Sequence, residues 1–582
     1  MGKRSKKHTG VSARPPVDGI EPAFSLLSAS LWCAVFALLA FVPDQKILRY
    51  KLLAVEAGVA VIGAACLLRW SLSKNPSWRK TPLDIPVALY AAGGVLFYLL
   101  SPEKGASSLE LTRMLFCAAT FFTVSQTYPH KERINPIPAA WLGTASLLSI
   151  YALLQTAGGL GPLSVPQASR PFATFGNPIF LSAYLSSSAC FAAVLAYDAN
   201  GIRRKLLWTA FVVLIAGVLA TASRGALAGL AGAALLFSWE KLDNRKRIMA
   251  LLSALIFLIC ALYYFRDRQW THGLIWRDTL ALWSSNPWFG CGLGRFHIEF
   301  PAYASDALKA LWPQRSVIVN FAHNEYLQVL AETGIVGLAL LALVIVAAAR
   351  WWNRSRTDAY ALAAAAILVQ NFFSPDIRFG LSSFLLFFAL AAAVSSQASE
   401  RNFPAFPGRH AIALIGAVFL LAWSRKAAEP FLAQKRLSRQ PSFHSRPTSE
   451  QERMIAVFEA RLAADPANAD LAENIAFLYA KQKSWPKAIA RFQLASRLAP
   501  RRPGPLNNLG NIFYMIGDKE NAISYWKKSL AVKSDQTDAH LNLGKTLYEL
   551  GRLKESAAHL QIVLRMRPDD EKAQILLKKM IE

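Results

Sequence analysis

The chain has 582 residues, of which 54% are hydrophobic and only 17% charged, and its mean hydropathy is +0.28. Soluble domains carry about 25% charged residues, so a purely soluble enzyme is excluded, as is disorder for the bulk of the chain. The net charge of +27 suits basic loops beside a membrane and sites for phosphates or anionic lipids. No basic stripe on a recognisable nucleic-acid module goes with it, so no nucleic-acid partner is expected.

Residues 1–23 read as a basic cytoplasmic tail with Lys3, Arg4, Lys6 and Lys7. A cleaved signal peptide is the alternative. The apolar run from Phe24 to Val42 is longer than a signal core and more runs follow, which favours an uncleaved first span. Crossing a bilayer takes about 20 apolar residues. Thirteen runs approach that length, near 24–43, 51–69, 82–100, 107–126, 137–157, 178–197, 205–221, 225–239, 248–265, 326–349, 358–373, 379–396 and 410–424. The eighth and the last are short, so twelve or thirteen spans are expected. With the N-terminus in the cytoplasm, the Lys/Arg-rich connections around 69–80, 131–133, 203–205, 241–247, 350–356 and 401–409 all fall inside, as the positive-inside rule requires.

One connection is long, about 266–322, and falls outside. It is rich in Trp, Arg, Gly and His, and a loop of this length is expected to carry function. Five of the six cysteines sit in apolar runs, Cys291 stands alone in this loop, and no pair has metal-ligand spacing.

After Trp423 the composition turns polar. Residues 425–450 read as a linker, and 451–582 as a soluble helical array. A 34-residue period aligns 469–502, 503–536 and 537–570. Small residues recur at one position (Ala476, Gly510, Gly544) and large ones sixteen further on (Phe492, Trp526, Leu560). Small residues let paired helices approach, and large ones fill the gap between them. The pattern resembles the tetratricopeptide repeat.

Four polar segments face the outer side. Arg170 opens Arg170-Pro-Phe-Ala-Thr-Phe-Gly-Asn-Pro178. Arg224 lies in the tight turn Thr221-Ala-Ser-Arg-Gly225, with Ser223 beside it. Arg277 and Asp278 lie in the long loop, ahead of Asn286-Pro-Trp-Phe-Gly-Cys-Gly-Leu-Gly-Arg-Phe296. His323 lies in Phe321-Ala-His-Asn-Glu-Tyr-Leu327 at the entry to the tenth span. Arginine grips phosphate oxygens bidentately and stays charged. Histidine takes a proton from a hydroxyl near neutral pH. Three arginines and a histidine on one membrane face therefore suit a pyrophosphate-linked lipid substrate. Each also has a plainer reading: Arg277–Asp278 as a loop ion pair, and His323 as an ordinary helix-entry residue. Gly290, Gly292 and Gly294 lack the strand and the Lys-Ser/Thr of a phosphate loop, and read as a flexible turn. With no Asp-x-Asp pair and no His-Glu-x-x-His motif, neither a metal nor a cofactor is expected.

Together these segments resemble the O-antigen ligase/polymerase superfamily of bacterial inner-membrane glycan transferases, over about residues 20–400. The resemblance rests on Thr221-Ala-Ser-Arg-Gly225, on the 170–178 segment, on the 286–296 segment, and above all on His323-Asn-Glu-Tyr-Leu-Gln-Val-Leu-Ala-Glu-Thr-Gly334. Ile179 departs from it, since relatives often carry a second Asn there. The fold implied is all-α: a polytopic membrane bundle over 24–424 with a long periplasmic loop, followed by an α-solenoid. The donor implied is a glycan on undecaprenyl pyrophosphate. The resemblance gives His323 the role of catalytic base. It gives Arg224 and Arg277, and less directly Arg170, the role of holding the pyrophosphate. Ser223, Asn324 and Glu325 would support them. It implies inversion without metal. The acceptor stays open among a lipid A core sugar, the growing glycan and a protein hydroxyl. A non-enzymatic scaffold or glycan transporter that displays the repeats is a different class of answer. The last run, 410–424, is short, and Arg425 and Lys426 follow it; counted as a span, it puts the repeats in the periplasm, where they would bind a protein partner or the acceptor.

Overall fold

The computed structural model describes residues 20–42, 50–74, 76–129, 135–160, 163–165, 167–241, 244–245, 248, 272–310, 319–355, 358–396, 398–402, 406–439, 450–567 and 569–581. Among the described residues, eight helices lead into the long loop: α1 (Ile20–Phe41), α2 (Tyr50–Leu72), α3 (Asp84–Leu100), α4 (Lys104–Thr127), α5 (Ile137–Ala157), α6 (Pro178–Asp198), α7 (Gly201–Ala220) and α8 (Arg224–Lys241). The loop itself folds into α9 (His272–Ser284), α10 (Phe296–Tyr303) and α11 (Asp306–Ala310). Four more described helices follow: α12 (Glu325–Ser355), α13 (Ala359–Gln370), α14 (Gly380–Ser395) and α15 (Arg409–Arg439).

Among the described residues, five stretches are long and apolar enough to cross a membrane: Ala23–Phe41, Tyr50–Leu72, Ile137–Ala157, Pro178–Asp198 and Glu325–Trp352. Asp84–Leu100, Arg224–Phe237, Ala359–Gln370 and Gly380–Ser395 are apolar but shorter. The expected runs in α4, α7 and α15 are helical yet carry charge, such as Glu110 and Arg113 in α4. All of the expected run at 248–265 but residue 248 lies outside the described residues. The protein is a multi-pass, all-α membrane protein followed by a helical solenoid.

The bundle core is aromatic. Trp141 stacks on Phe191 at 4.6 Å and on Phe36 at 5.4 Å. Its indole N–H donates to Ser188 at 2.8 Å, so the one polar atom of that buried ring is satisfied. The two ends of the bundle differ. At one end β1 (Ser77–Lys80) pairs antiparallel with a strand at Ser399–Asn402, setting Trp78 against Arg401. At the other end lie the α3–α4 turn, the 221–223 turn, the long loop and the start of α12. We call this the loop end.

Helix α12 is not continuous. Gly334 sits inside it at φ 66°, ψ −166°. The segment 287–292 fills the break. The Cys291 and Gly292 N–H groups donate to the carbonyls of Ala331 (2.8 Å) and Glu332 (3.0 Å). Ile335 and Val336 donate in turn to the carbonyls of Pro287 (2.9 Å) and Trp288 (3.3 Å). The glycine run is therefore a close-packing device rather than the flexible turn expected: a Cβ on Gly290 would overlap the Glu332 backbone, and one on Gly294 the Ala106 carbonyl.

The repeats follow as α16 (Glu450–Ala464), α17 (Ala469–Lys481), α18 (Trp485–Leu498), α19 (Pro503–Met515), α20 (Lys519–Val532), α21 (Thr537–Glu549), α22 (Leu553–Met566) and α23 (Glu571–Ile581). The small-against-large pattern is real packing: Gly510 abuts Trp526 and Gly544 abuts Leu560, each with no room for a methyl group. The linker expected at 425–450 begins as helix instead, because α15 runs on to Arg439.

Gly334→Ala would place a methyl group on the Trp288 carbonyl at a left-handed φ. That conformation, essentially confined to glycine, costs an L-residue on the order of 1–3 kcal/mol. The variant is expected to melt several degrees below the parent in detergent, whereas Gly143→Ala, with nothing near its Cβ, should melt unchanged; equal melting of both would remove the packing argument.

Candidate active site

Three of the four expected polar segments hold a non-glycine residue in left-handed backbone: Ala173 (φ 45°), Ala222 (φ 50°) and His323 (φ 54°). Such strain persists only where the surroundings hold it. Around Ala173, the Gln155 side-chain oxygen accepts from the N–H groups of Phe172 (3.1 Å) and Ala173 (2.7 Å). The fully buried Lys51 ammonium donates to Thr174 at 2.8 Å. Around His323, the Ala322 N–H is pinned by Gln328, and Gln328 donates to Glu332 at 2.8 Å. Asn324 caps α12, its side chain accepting from Tyr326 (3.0 Å) and Leu327 (3.1 Å).

The His323 ring stacks on His272 with centroids 4.9 Å apart and planes 12° from parallel. His272 begins α9 and was not singled out from the sequence. Burial pushes its pKa down to about 4, with His323 and Arg224 adding positive charge nearby. Burial lowers His323 as well. Both imidazoles are therefore neutral near pH 7, and Arg224 acts electrostatically on His272. Arg224 is the first residue of α8, and the buried Ser223 hydroxyl accepts from Ala226 N–H at 3.4 Å, capping that helix. Arg170 reaches the same turn: its Nε donates to the Thr221 carbonyl at 3.1 Å. The fold thus brings His323 and Arg224 to the newly found His272, with Ser223 and Arg170 on the turn that carries Arg224 and Asn324 next to His323.

Two expected residues stand apart. The Arg277 side chain is 60% exposed and paired with Asp278 at 3.1 Å. Asp278 is held independently by the Ser305 N–H and hydroxyl, each at 2.8 Å. Glu325 does not touch His323; it is buried against Arg378 (3.2 Å) and Arg113 (3.9 Å). The support expected from Glu325 therefore takes another form. Arg378 also meets Glu110 (3.2 Å) and Glu332 (2.9 Å), and Arg113 meets Glu110 at 2.7 Å. Glu332 further accepts from the Gly294 N–H at 3.0 Å. This buried network joins α4, α12, the 376–378 turn and the loop. None of Arg378, Glu110 and Arg113 was singled out from the sequence; the last two lie within the expected run 107–126. Removing one partner from such a network strands buried charge, at a cost of about 3–5 kcal/mol. Asp376 lies fully buried beside it, its carboxyl pushed up to about 7 chiefly by that burial.

Residues 209–342 match the family model described as O-Antigen ligase. The chain carries an O-antigen ligase domain. The match runs from α7 into α12 and takes in Ser223, Arg224, His272, Arg277, His323, Asn324 and Glu325; Arg170, Arg113 and Arg378 lie outside it. No curated protein matches the chain. Among solved structures, MamA is similar at 18% identity over 23% of this chain and 87% of its own, with a TM-score of 0.21. Pseudomonas aeruginosa pilF is similar at 20% identity over 30% and 76%, with a TM-score of 0.22. With scores this low, neither likeness carries an argument. The ligase domain gives the protein a membrane glycan-transfer role.

His272 has a folded pKa far below that of a free imidazole, so its stability contribution is complete above about pH 6.5 and is lost as pH falls toward about 4. Amide hydrogen exchange of α9 is expected to accelerate between pH 6.5 and 4.5 relative to α18, after correction for intrinsic rates, and His272→Phe should flatten that dependence. A wild-type α9 whose corrected exchange ignores pH would show that His272 is not buried as a neutral ring.

Proposed function

We propose that the protein moves a glycan from undecaprenyl pyrophosphate to an acceptor hydroxyl at the loop end of the bundle, and that this end is the periplasmic face of a bacterial inner membrane. The observation that carries the reading is the meeting of His323, His272 and Arg224 within the ligase domain.

In this reading His323 takes the proton of the acceptor hydroxyl, and the oxygen attacks the anomeric carbon. The bond from that carbon to the pyrophosphate oxygen breaks, and its electron pair leaves on the pyrophosphate. Attack opposite the leaving group inverts the centre. A neutral His323 is the form able to accept a proton, which the burial of that ring supports. His272, also neutral, adds no repelling charge when His323 becomes imidazolium. Arg224 meets the charge on the leaving group. Arg170 acts through the turn that carries Arg224. Arg277, whose side chain is 60% exposed, joins them by exchanging Asp278 for the pyrophosphate, while Ser305 still holds the other oxygen of Asp278. With guanidinium groups countering the leaving group, the step needs neither a metal nor a cofactor.

Ligation to a lipid A core or surface-polymer acceptor is the reading we adopt. Polymerisation and transfer to a protein would differ only in the hydroxyl presented to His323. A transporter would carry its polar groups near mid-membrane, whereas here they crowd the loop end. Ion pairs from the repeats, Arg502 to Glu103 (3.2 Å) and Asp470 to His297 (3.6 Å), support a periplasmic repeat domain on the same face as His323.

His323→Ala is expected to abolish glycan transfer by the purified protein while membrane insertion and melting stay normal; undiminished transfer would sink the base assignment. Arg224→Lys and Arg277→Lys keep the charge but lose the planar fork, and each should slow transfer on the order of 100-fold. Wild-type rates in both would return these arginines to a folding role. A phosphatase fused after Glu582 should be active and a cytoplasm-only fluorescent reporter dark; the opposite pair of results would put the repeats in the cytoplasm.

A further inference from the structure

Two cavities open along the seam where the repeats meet the loop end. The larger, about 400 Å³, is lined by Ser101, Asn286, Arg295, Glu299, Tyr303 and the repeat residue Arg501. The smaller, about 160 Å³, is lined by Glu110, Asn320, Phe321, Phe379 and the repeat residues Asn468 and Asp470, among others. Gly292 and Leu293 line the first, and Gly294 and His297 the second, so one stretch of loop is the wall between them.

We propose that the smaller cavity is an acceptor subsite that takes a sugar unit of a hydroxyl-rich chain, and that the repeat domain completes it. The proposal rests on the glycan-transfer reading above and names where its acceptor sits. The seam is tightly made. Arg502 bridges Glu103 and Asp470, and Asp470 also meets His297. Gly105 lies against the Ala467 carbonyl, where a Cβ would come within 2.6 Å. Burial alone would push the Asp470 carboxyl up, but the hydrogen bond from His297 and the Arg502 guanidinium hold it well below the usual carboxylate range.

The lining has the chemistry of a sugar site: apolar ring surface beside a few fixed polar groups. Phe321 and Phe379 stand edge to face, 5.5 Å apart at 71°, and supply the ring surface. Asn320 is exposed, and its amide has no hydrogen-bond partner among the described residues, so it can both donate and accept. The Asp470 carboxylate keeps acceptor capacity beyond its two cationic partners.

Charge decides between donor and acceptor. Arg378 is already matched by Glu110, Glu325 and Glu332. With Asp470 added, the cavity would repel a pyrophosphate but would accept hydroxyl protons. The cationic ground for a pyrophosphate is at Arg224. Phe321 stands two residues before His323, so a sugar held against it lies on the chain segment that presents the base.

The test uses the full-length protein in nanodiscs. The donor is the lipid-linked glycan fraction of a strain lacking the gene, held saturating. The acceptor is the envelope extract of that strain, titrated. Asn320→Trp fills the cavity and is expected to raise the apparent KM for acceptor at least tenfold, with a smaller change in kcat. A KM within twofold of wild type overturns the subsite while leaving the transferase reading intact. No transfer by wild type overturns both. If Asn320→Trp elutes as aggregate, the Asn320→Ala/His297→Ala protein replaces it. A several-fold rise in acceptor KM then supports the subsite, and an unchanged KM overturns it.

Discussion

A helix inside a membrane bundle cannot leave peptide groups unpaired. Helix α12 breaks at Gly334, and the freed groups must find partners that are neither water nor lipid. Segment 287–292 supplies them, carbonyl for N–H and N–H for carbonyl. From this follows much of the arrangement at the loop end. The loop cannot leave without exposing α12, and α12 cannot straighten without expelling the loop. Glu332, two residues before the break, extends the same grip to Gly294 and to Arg378.

The His323 neighbourhood hangs from that joint. Gln328 ties the Ala322 backbone to Glu332, so the left-handed turn at His323 is referred to the same carboxylate that anchors the loop. His272 approaches from α9 and Arg224 from α8. The site is thus assembled from the loop and two separate helix starts. Its rigidity comes from buried charge pairing rather than from apolar packing alone. Burying five ionised groups, Glu110, Arg113, Glu325, Glu332 and Arg378, contributes geometric uniqueness more readily than net stability.

Much of this was legible in the sequence, because apolar run length and a 34-residue period are local signals. Ser223, Arg224, Asn324 and His323 could be singled out because their neighbours form short motifs. The rest had no local signature. Glu110 and Arg378 lie far apart in the chain, and nothing near either announces the other. His272 precedes Gly273 in a segment without a motif. The sequence Glu332-Thr-Gly334 looked like the smooth start of a span, since a break is visible only once its hydrogen-bond partners are known. Arg277 shows the opposite case. Its motif pointed to the site, yet its side chain lies in solvent against Asp278.

The thirteenth helix of the expected bundle ends in a rod. At 1.5 Å per residue, the 31 residues of α15 span roughly 46 Å, against about 30 Å of hydrocarbon. The surplus is about ten residues of continuous helix leading toward the repeats. A flexible tether would pass on only distance, but a helix also passes on angle. One residue inserted between 426 and 438 would turn the Arg439 end of the helix by about 100°. Seven inserted residues would nearly restore the angle and carry that end about 10 Å further out. What this stretch hands on at Arg439 is therefore set by its length more than by its composition, a direction as well as a distance.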